Sequence, residues 1–172
     1  MHLFKHRVWA LLILLSIAGC DGPAPATVPL LTECEPTTVS NQISLGIGKD
    51  GFEAMESIDH ALIVGGYQGG HHLWGAVRFD ETTVLDQVKR LHLIVCEDDQ
   101  IIAQALYASV DAVLRTQSEL YGIPIVFASG VDVASLDGRG VSVLVGLETD
   151  TAPLFTHGTT DLKCCGHVAD GD

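Results

Sequence analysis

From Ile43 onward the chain is a series of short apolar runs rich in Val, Ile and Leu, broken by glycine and by acidic or amide residues. That punctuation is the signature of β-strands. It predicts strands at Ile43–Ile47, Ala61–Val64, His72–Phe79, Leu91–Cys96, Ile101–Ser109, Ile123–Ala128 and Val141–Leu147. Alternation is clearest in two of them. Leu73, Val77 and Phe79 share one face of their strand, with His72, Trp74 and Arg78 on the other; Val141, Val143, Val145 and Leu147 share a face opposed by Ser142 and Glu148. A last strand over Phe155–Cys165 pairs with Val141–Leu147 across a turn at Thr149–Pro153. Gly65-Gly66, Gly69-Gly70 and Asp137-Gly138 supply reversals where positive backbone angles are needed. Helix signal is confined to Thr82–Arg90 (TTVLDQVKR), whose apolar residues at 84, 85 and 88 suffice for two turns at most.

The N-terminus follows a different pattern. Lys5 and Arg7 precede an unbroken apolar or small run, Val8 to Gly19 (VWALLILLSIAG), that ends at Cys20. The run has 12 residues, and a helix needs about 20 to span the hydrocarbon core. A cleaved export signal therefore fits better than a membrane anchor. Ile17-Ala18-Gly19-Cys20 resembles the lipobox of bacterial lipoprotein precursors: an aliphatic residue, two small ones, then the cysteine. The resemblance implies a signal peptide over 1–19 and a diacylglycerol on the Cys20 thiol. The new amine is often acylated as well, commonly with palmitate. Several acyl chains make attachment persistent where one would let go. The expected location is a bacterial membrane, with the rest of the molecule on its periplasmic or cell-surface side. Asp21 implies inner-membrane retention under the enteric sorting rule, but other bacterial groups read that position differently, so inner versus outer membrane stays open.

Residues 20–38 (CDGPAPATVPLLTECEPTT) carry four of the six prolines and little periodicity. Such a stretch is stiff and extended, and reads as the tether, with the ectodomain over 39–172.

The whole chain has nine Lys plus Arg against 22 Asp plus Glu, a net charge of −13. Removing Lys5 and Arg7 with the signal brings the mature chain near −15. Such a balance repels phosphate backbones and excludes nucleic acid as a natural partner. A hydrophobic content of 47% argues against a disordered chain.

Apart from Cys20, the cysteines are Cys34, Cys96, Cys164 and Cys165, an even number in an exported chain, which reads as two disulfides. A bridge between adjacent Cys164 and Cys165 requires an eight-membered ring with a distorted peptide. The remaining arrangements tie Cys34 to one of that pair and Cys96 to the other. A single bridge with two thiols, or a cysteine-containing metal site, is the competing reading.

Several motifs bear on chemistry. Gly46–Gly51 (GIGKDG) matches G-x-G-x-x-G, but a dinucleotide site needs a preceding strand, a long helix opening after it and a βαβ unit. A glycine-rich turn between edge strands accounts for it better. His71, His72, His157 and His167 are candidate ligands for zinc or copper, although neighbours on a strand face opposite ways. Cys165-Gly166-His167 resembles the Cys-x-His part of the cupredoxin copper loop, but no methionine follows it. Glu97-Asp98-Asp99 reads as a hairpin tip with weak calcium affinity at most. H-E-x-x-H, G-x-S-x-G, S-x-x-K and C-x-x-C are all missing from the sequence, so no catalytic residue is assigned.

The expected fold is therefore all-β, an immunoglobulin-like or fibronectin-like sandwich of seven to eight strands, with a small β-barrel as the alternative. Gly46, Gly48, Phe52, Gln68, Gly69, Gly70, His72 and Trp74 form a G-x-G…F…QGG-x-H-x-W pattern. It resembles that of uncharacterised secreted bacterial lipoproteins and implies no activity. The expected role is a non-catalytic binding or structural module at the envelope, held through its lipid, without a cofactor, and partnered by another envelope protein or a polymer. The alternative is a histidine-based metal-binding ectodomain.

Overall fold

Inward and outward side chains alternate along nearly every long strand of the computed structural model, which describes residues 29–35, 38–66, 69–80 and 82–164. Among the described residues eleven strands form: β1 (Ile43–Ile47), β2 (Glu53–Ala54), β3 (His60–Leu62), β4 (Val64–Gly65), β5 (His71–Phe79), β6 (Val88–Glu97), β7 (Gln100–Tyr107), β8 (Leu114–Arg115), β9 (Glu119–Phe127), β10 (Gly140–Thr149) and β11 (Leu154–Lys163). Seven of these are five residues or longer. They are seven of the eight strands expected from the apolar runs; the eighth, Ala61–Val64, is broken at Ile63 into the short β3 and β4, and β2 and β8 are two-residue additions.

All eleven belong to one mixed sheet in the order β2-β1-β5-β9-β7-β6-β10-β11-β3, with β4 on β5 and β8 on β9. The β11–β3 pair is parallel. No ladder joins β2 to β3, so the sheet described is not a closed barrel. It folds over on itself as a sandwich. A Cβ added to Gly75 on β5 would stand 2.8 Å from Leu93 Cδ2 on β6, and one added to Gly158 on β11 would stand 3.7 Å from Leu45 Cδ2 on β1. The layer β1-β5-β9 thus faces the layer β6-β10-β11. Leu73, Leu93, Val95, Ile125, Val143 and Val145, all essentially inaccessible, fill the space between them.

The two alternating runs behave as their patterns dictate. Val141, Val143, Val145 and Leu147 are buried and pair in register with Thr160, Gly158, Thr156 and Leu154 of β11, across the predicted turn. Thr149 Oγ1 organises that turn by donating to the Ala152 carbonyl (2.7 Å) and accepting from the Thr151 and Ala152 N–H groups. Gly46–Gly51 runs from the end of β1 into the turn that leads to edge strand β2, with Gly48 at φ 146°, an angle other residues rarely adopt. Asp98 and Asp99, at φ 46° and 62°, form the two-residue tip of the β6–β7 hairpin.

The helix expected over Thr82–Arg90, of two turns at most, is short. Thr82–Arg90 keeps a single helical turn, α1 (Thr82–Leu85), and strand β6 takes over at Val88. Val88 pairs with Thr149, and the salt bridges Lys89–Asp150 and Arg90–Glu148 hold the next two positions against β10. Within the stretch read as tether, Leu31 is buried against the sheet, and just beyond it the Ser40 N–H donates to the Phe155 carbonyl (2.7 Å).

Candidate functional site

Strand β6 is buried on both faces. Leu91, Leu93 and Val95 point into the sandwich, while His92, Ile94 and Cys96 point to the outer surface, yet all six are buried. The N-terminal arm, residues 29–35, is what covers the outer side. Leu31 drops into a socket made by Ile94, Cys96 and Leu144, with Phe155 at its margin. Gly146 leaves the room: a Cβ there would stand 3.2 Å from Leu31 Cγ and 3.0 Å from Phe155 Cε1. The Leu31 N–H donates to His92 Nδ1 at 3.0 Å. Three residues further on, Cys34 is bridged to Cys96.

This pairing overturns the expectation that Cys34 and Cys96 each bond to a member of the Cys164-Cys165 pair. Cys96 lies on the outer face under the arm, while Cys164 packs at the margin of the inner core. The sheet stands between them. Cys164 is itself disulfide-bonded, and its N–H donates to Asp137 Oδ1 at 2.8 Å. Cys20, Cys165 and His167 lie outside the described residues.

The non-covalent grip on the arm is small. Burying one Leu is worth about 1.5–3 kcal/mol and one hydrogen bond about 1 kcal/mol. Ordering each backbone residue costs about 1–2 kcal/mol. These two contacts hold two or three residues, whereas the arm has seven, of which only Leu31 is buried. The disulfide supplies the remainder by fixing the far end.

Beside the bridge an open groove of about 540 Å³ is lined by Cys34, Cys96 and the acidic residues Glu35, Asp59, Asp98, Asp99 and Asp161. Arg139 partly neutralises its rim, bonding Glu97 at 2.8 Å and approaching Asp98 at 3.6 Å. Among the described residues no three His, Cys, Asp or Glu side chains converge as a metal site.

The histidines are dispersed. His72 lies on the outer side of β5, its ring meeting the Trp74 ring edge-on at 4.5 Å between centroids. His157 lies on β11 opposite Leu144, on the outer side of the other layer. His71 is the first residue of β5, opposite Gly65. The candidate ligands His71, His72 and His157 therefore do not meet: the sandwich separates the outer faces that carry His72 and His157.

The histidine that the fold does use is His92, which carried no role in the sequence reading. The signal was the uninterrupted run LHLIVC: a strand apolar on both faces must be covered on both. His92 is fully inaccessible. As Nδ1 accepts the Leu31 N–H, the neutral ring carries its hydrogen on Nε2, which finds no partner of ordinary hydrogen-bond geometry. Burial holds its pKa below the usual histidine value, with Gln104 on the neighbouring strand pushing partly back. His72 is also lowered, first by burial and then by His71.

Both depressed histidines have the same consequence for acid stability. The unfolded chain takes up protons near the ordinary value of 6.5, before the folded one does, so stability is full above that pH and declines as pH falls towards the folded values. Thermal unfolding followed at pH 7.5, 6.5 and 5.5 checks this, and His92→Gln should flatten the acid limb. An unchanged slope in that variant would remove His92 as a cause.

No protein-family model matches the chain, and no curated protein matches it.

Proposed function

We propose that the chain is the precursor of a bacterial lipoprotein, acylated on Cys20 after removal of 1–19, whose β-sandwich serves as a non-catalytic binding or structural module at the cell envelope. The observation that carries this reading is Ile17-Ala18-Gly19-Cys20 at the end of a charged and then apolar leader. Two further features support it. A Cys34–Cys96 disulfide is at home in an oxidising space outside the cytosol. The proline-rich stretch after Cys20 enters the domain at an arm clamped on its outer face, which suits a tether. The net negative charge keeps the tethered domain soluble and away from anionic head groups. The partner in this reading is another envelope protein or a polymer, met through loops or a strand edge.

The experiment is expression of the precursor in a bacterial host, with mass spectrometry of the mature N-terminus and detergent-phase partitioning. The expected result is a diacylglyceryl-modified Cys20 as first residue and partitioning into detergent, both abolished by Cys20→Ser. Soluble, unacylated protein with its leader intact would overturn the reading.

A further inference from the structure

Leu31 and Cys34 hold the arm of residues 29–35 to a strand whose own ladders are complete without it, since β6 is paired with β10 on one side and β7 on the other. We propose that this arm is a redox-released strap: reduction of Cys34–Cys96 by a small dithiol detaches residues 29–35, uncovers the socket of Ile94, Leu144 and Phe155, and lengthens the link between Cys20 and the sandwich. The lengthening rests on the lipoprotein reading above; the detachment does not.

Three observations carry the inference. The bridge lines an open groove of about 540 Å³, so a small thiol has a path to it. Leu31 is the arm's one buried side chain, and its N–H bond to His92 Nδ1 is the arm's one hydrogen bond to a side chain among the described residues. Among the described residues, the next contact along the chain after the arm is the Ser40 N–H on the Phe155 carbonyl. Release therefore adds the length of the arm to the link, about 3.3–3.6 Å per residue when extended. The uncovered socket lies one strand from Leu106, 37% exposed on β7 and paired with His92, so release adds apolar surface beside it.

The chemistry is ordinary exchange. A thiolate of the dithiol attacks one sulfur of the bridge, forming a mixed disulfide, and the other cysteine leaves as a thiolate. The second thiol of the reductant then displaces the first cysteine. Two electrons and two protons pass to Cys34 and Cys96, and the reductant ends as its own disulfide.

The test is amide hydrogen exchange and glutamyl-endopeptidase cleavage on the purified full-length chain, oxidised, treated with dithiothreitol, and as the Cys34→Ser/Cys96→Ser variant. Cys164 is also disulfide-bonded, so the variant, which leaves Cys164 in place, assigns any release to the Cys34–Cys96 bridge. In both reduced chain and variant the Leu31 amide should exchange within ~10-fold of the rate of an unstructured chain, while the Leu93 and Val143 amides, though faster by the global stability that the bridge supplied, keep at least ~100-fold protection. Cleavage after Glu33 and Glu35 should accelerate in parallel. A Leu31 amide still protected in the variant would overturn the strap, and so would Leu93 and Val143 exchanging in step with it, because the arm would then be part of the cooperative domain. Release in a chain that proves unacylated supports the strap and defeats only the tether assignment.

Discussion

Truncating Leu93 to alanine is expected to lower the unfolding free energy by about 2–5 kcal/mol, the cost of a cavity in a core that relaxes only partly. Leu93 is fully inaccessible and sits where the two layers of the sandwich meet, its Cδ2 only 2.8 Å from where a Cβ on Gly75 would stand. The same geometry predicts that Gly75→Ala overpacks the site at a cost of about 1–3 kcal/mol, because Ile125 Cδ1, 3.0 Å from that Cβ, blocks retreat on the other side. The pair should not add. A methyl at 75 enters the space vacated at 93, so the double variant should be more stable than the sum of the singles implies, with a coupling of about 0.5–3 kcal/mol. Urea unfolding of the four proteins measures it. Strict additivity would mean that β5 and β6 do not face each other, and the sandwich as described would fail.

The second large effect is expected from Cys34→Ala/Cys96→Ala. The bridge spans a sequence separation of 62, and closing a loop of that length in the unfolded chain stabilises the fold by about 4 kcal/mol in the chain-entropy account. At about 2–4 °C per kcal/mol for a domain of this size, the midpoint of thermal unfolding should fall by about 8–16 °C. Each single substitution should do about as much as the pair, since either one removes the whole bridge. A fall of less than about 3 °C would show that the loop is closed by other contacts and that the disulfide does little for the domain.

Local pattern specified the strands to different degrees. Strand β1 runs over Ile43–Ile47 as its apolar run predicts, and β10 over Gly140–Thr149 brackets the alternating valines. In β9 the predicted start at Ile123 is four residues late, because Glu119–Gly122 lacks an apolar run, and the strand carries Pro124 in its interior. The fold accommodates it: β7 pairs with β9 only at Val126 and Phe127, so at Pro124 that side of the strand is an edge. Thr82–Arg90 reads as helix because Val84, Leu85 and Val88 fit a helical face, yet Val88 belongs to a strand whose partner Thr149 lies far along the chain. Short edge strands such as β2 and β8 carry no periodicity to read.

The candidate site was legible in its parts and illegible in its assembly. Cys34 and Cys96 were marked as bridge residues, but the pairing was misassigned, because which cysteines meet depends on which face of a folded sheet each occupies. Leu31 lies in a proline-rich stretch and His92 interrupts an apolar run. Their hydrogen bond joins positions 61 apart, and no local signal reaches that far.

What the amino-acid order decided alone is what depends on neighbours within a few positions: the strand runs, their inward and outward faces, and the glycine and Asp-Asp reversals. The closure of the sheet into two layers, the pairing of Cys34 with Cys96 and the covering of His92 by the arm were decided only by the tertiary structure. Each of these is a contact between distant segments, selected by how a twisted sheet must bury both faces of its central strand.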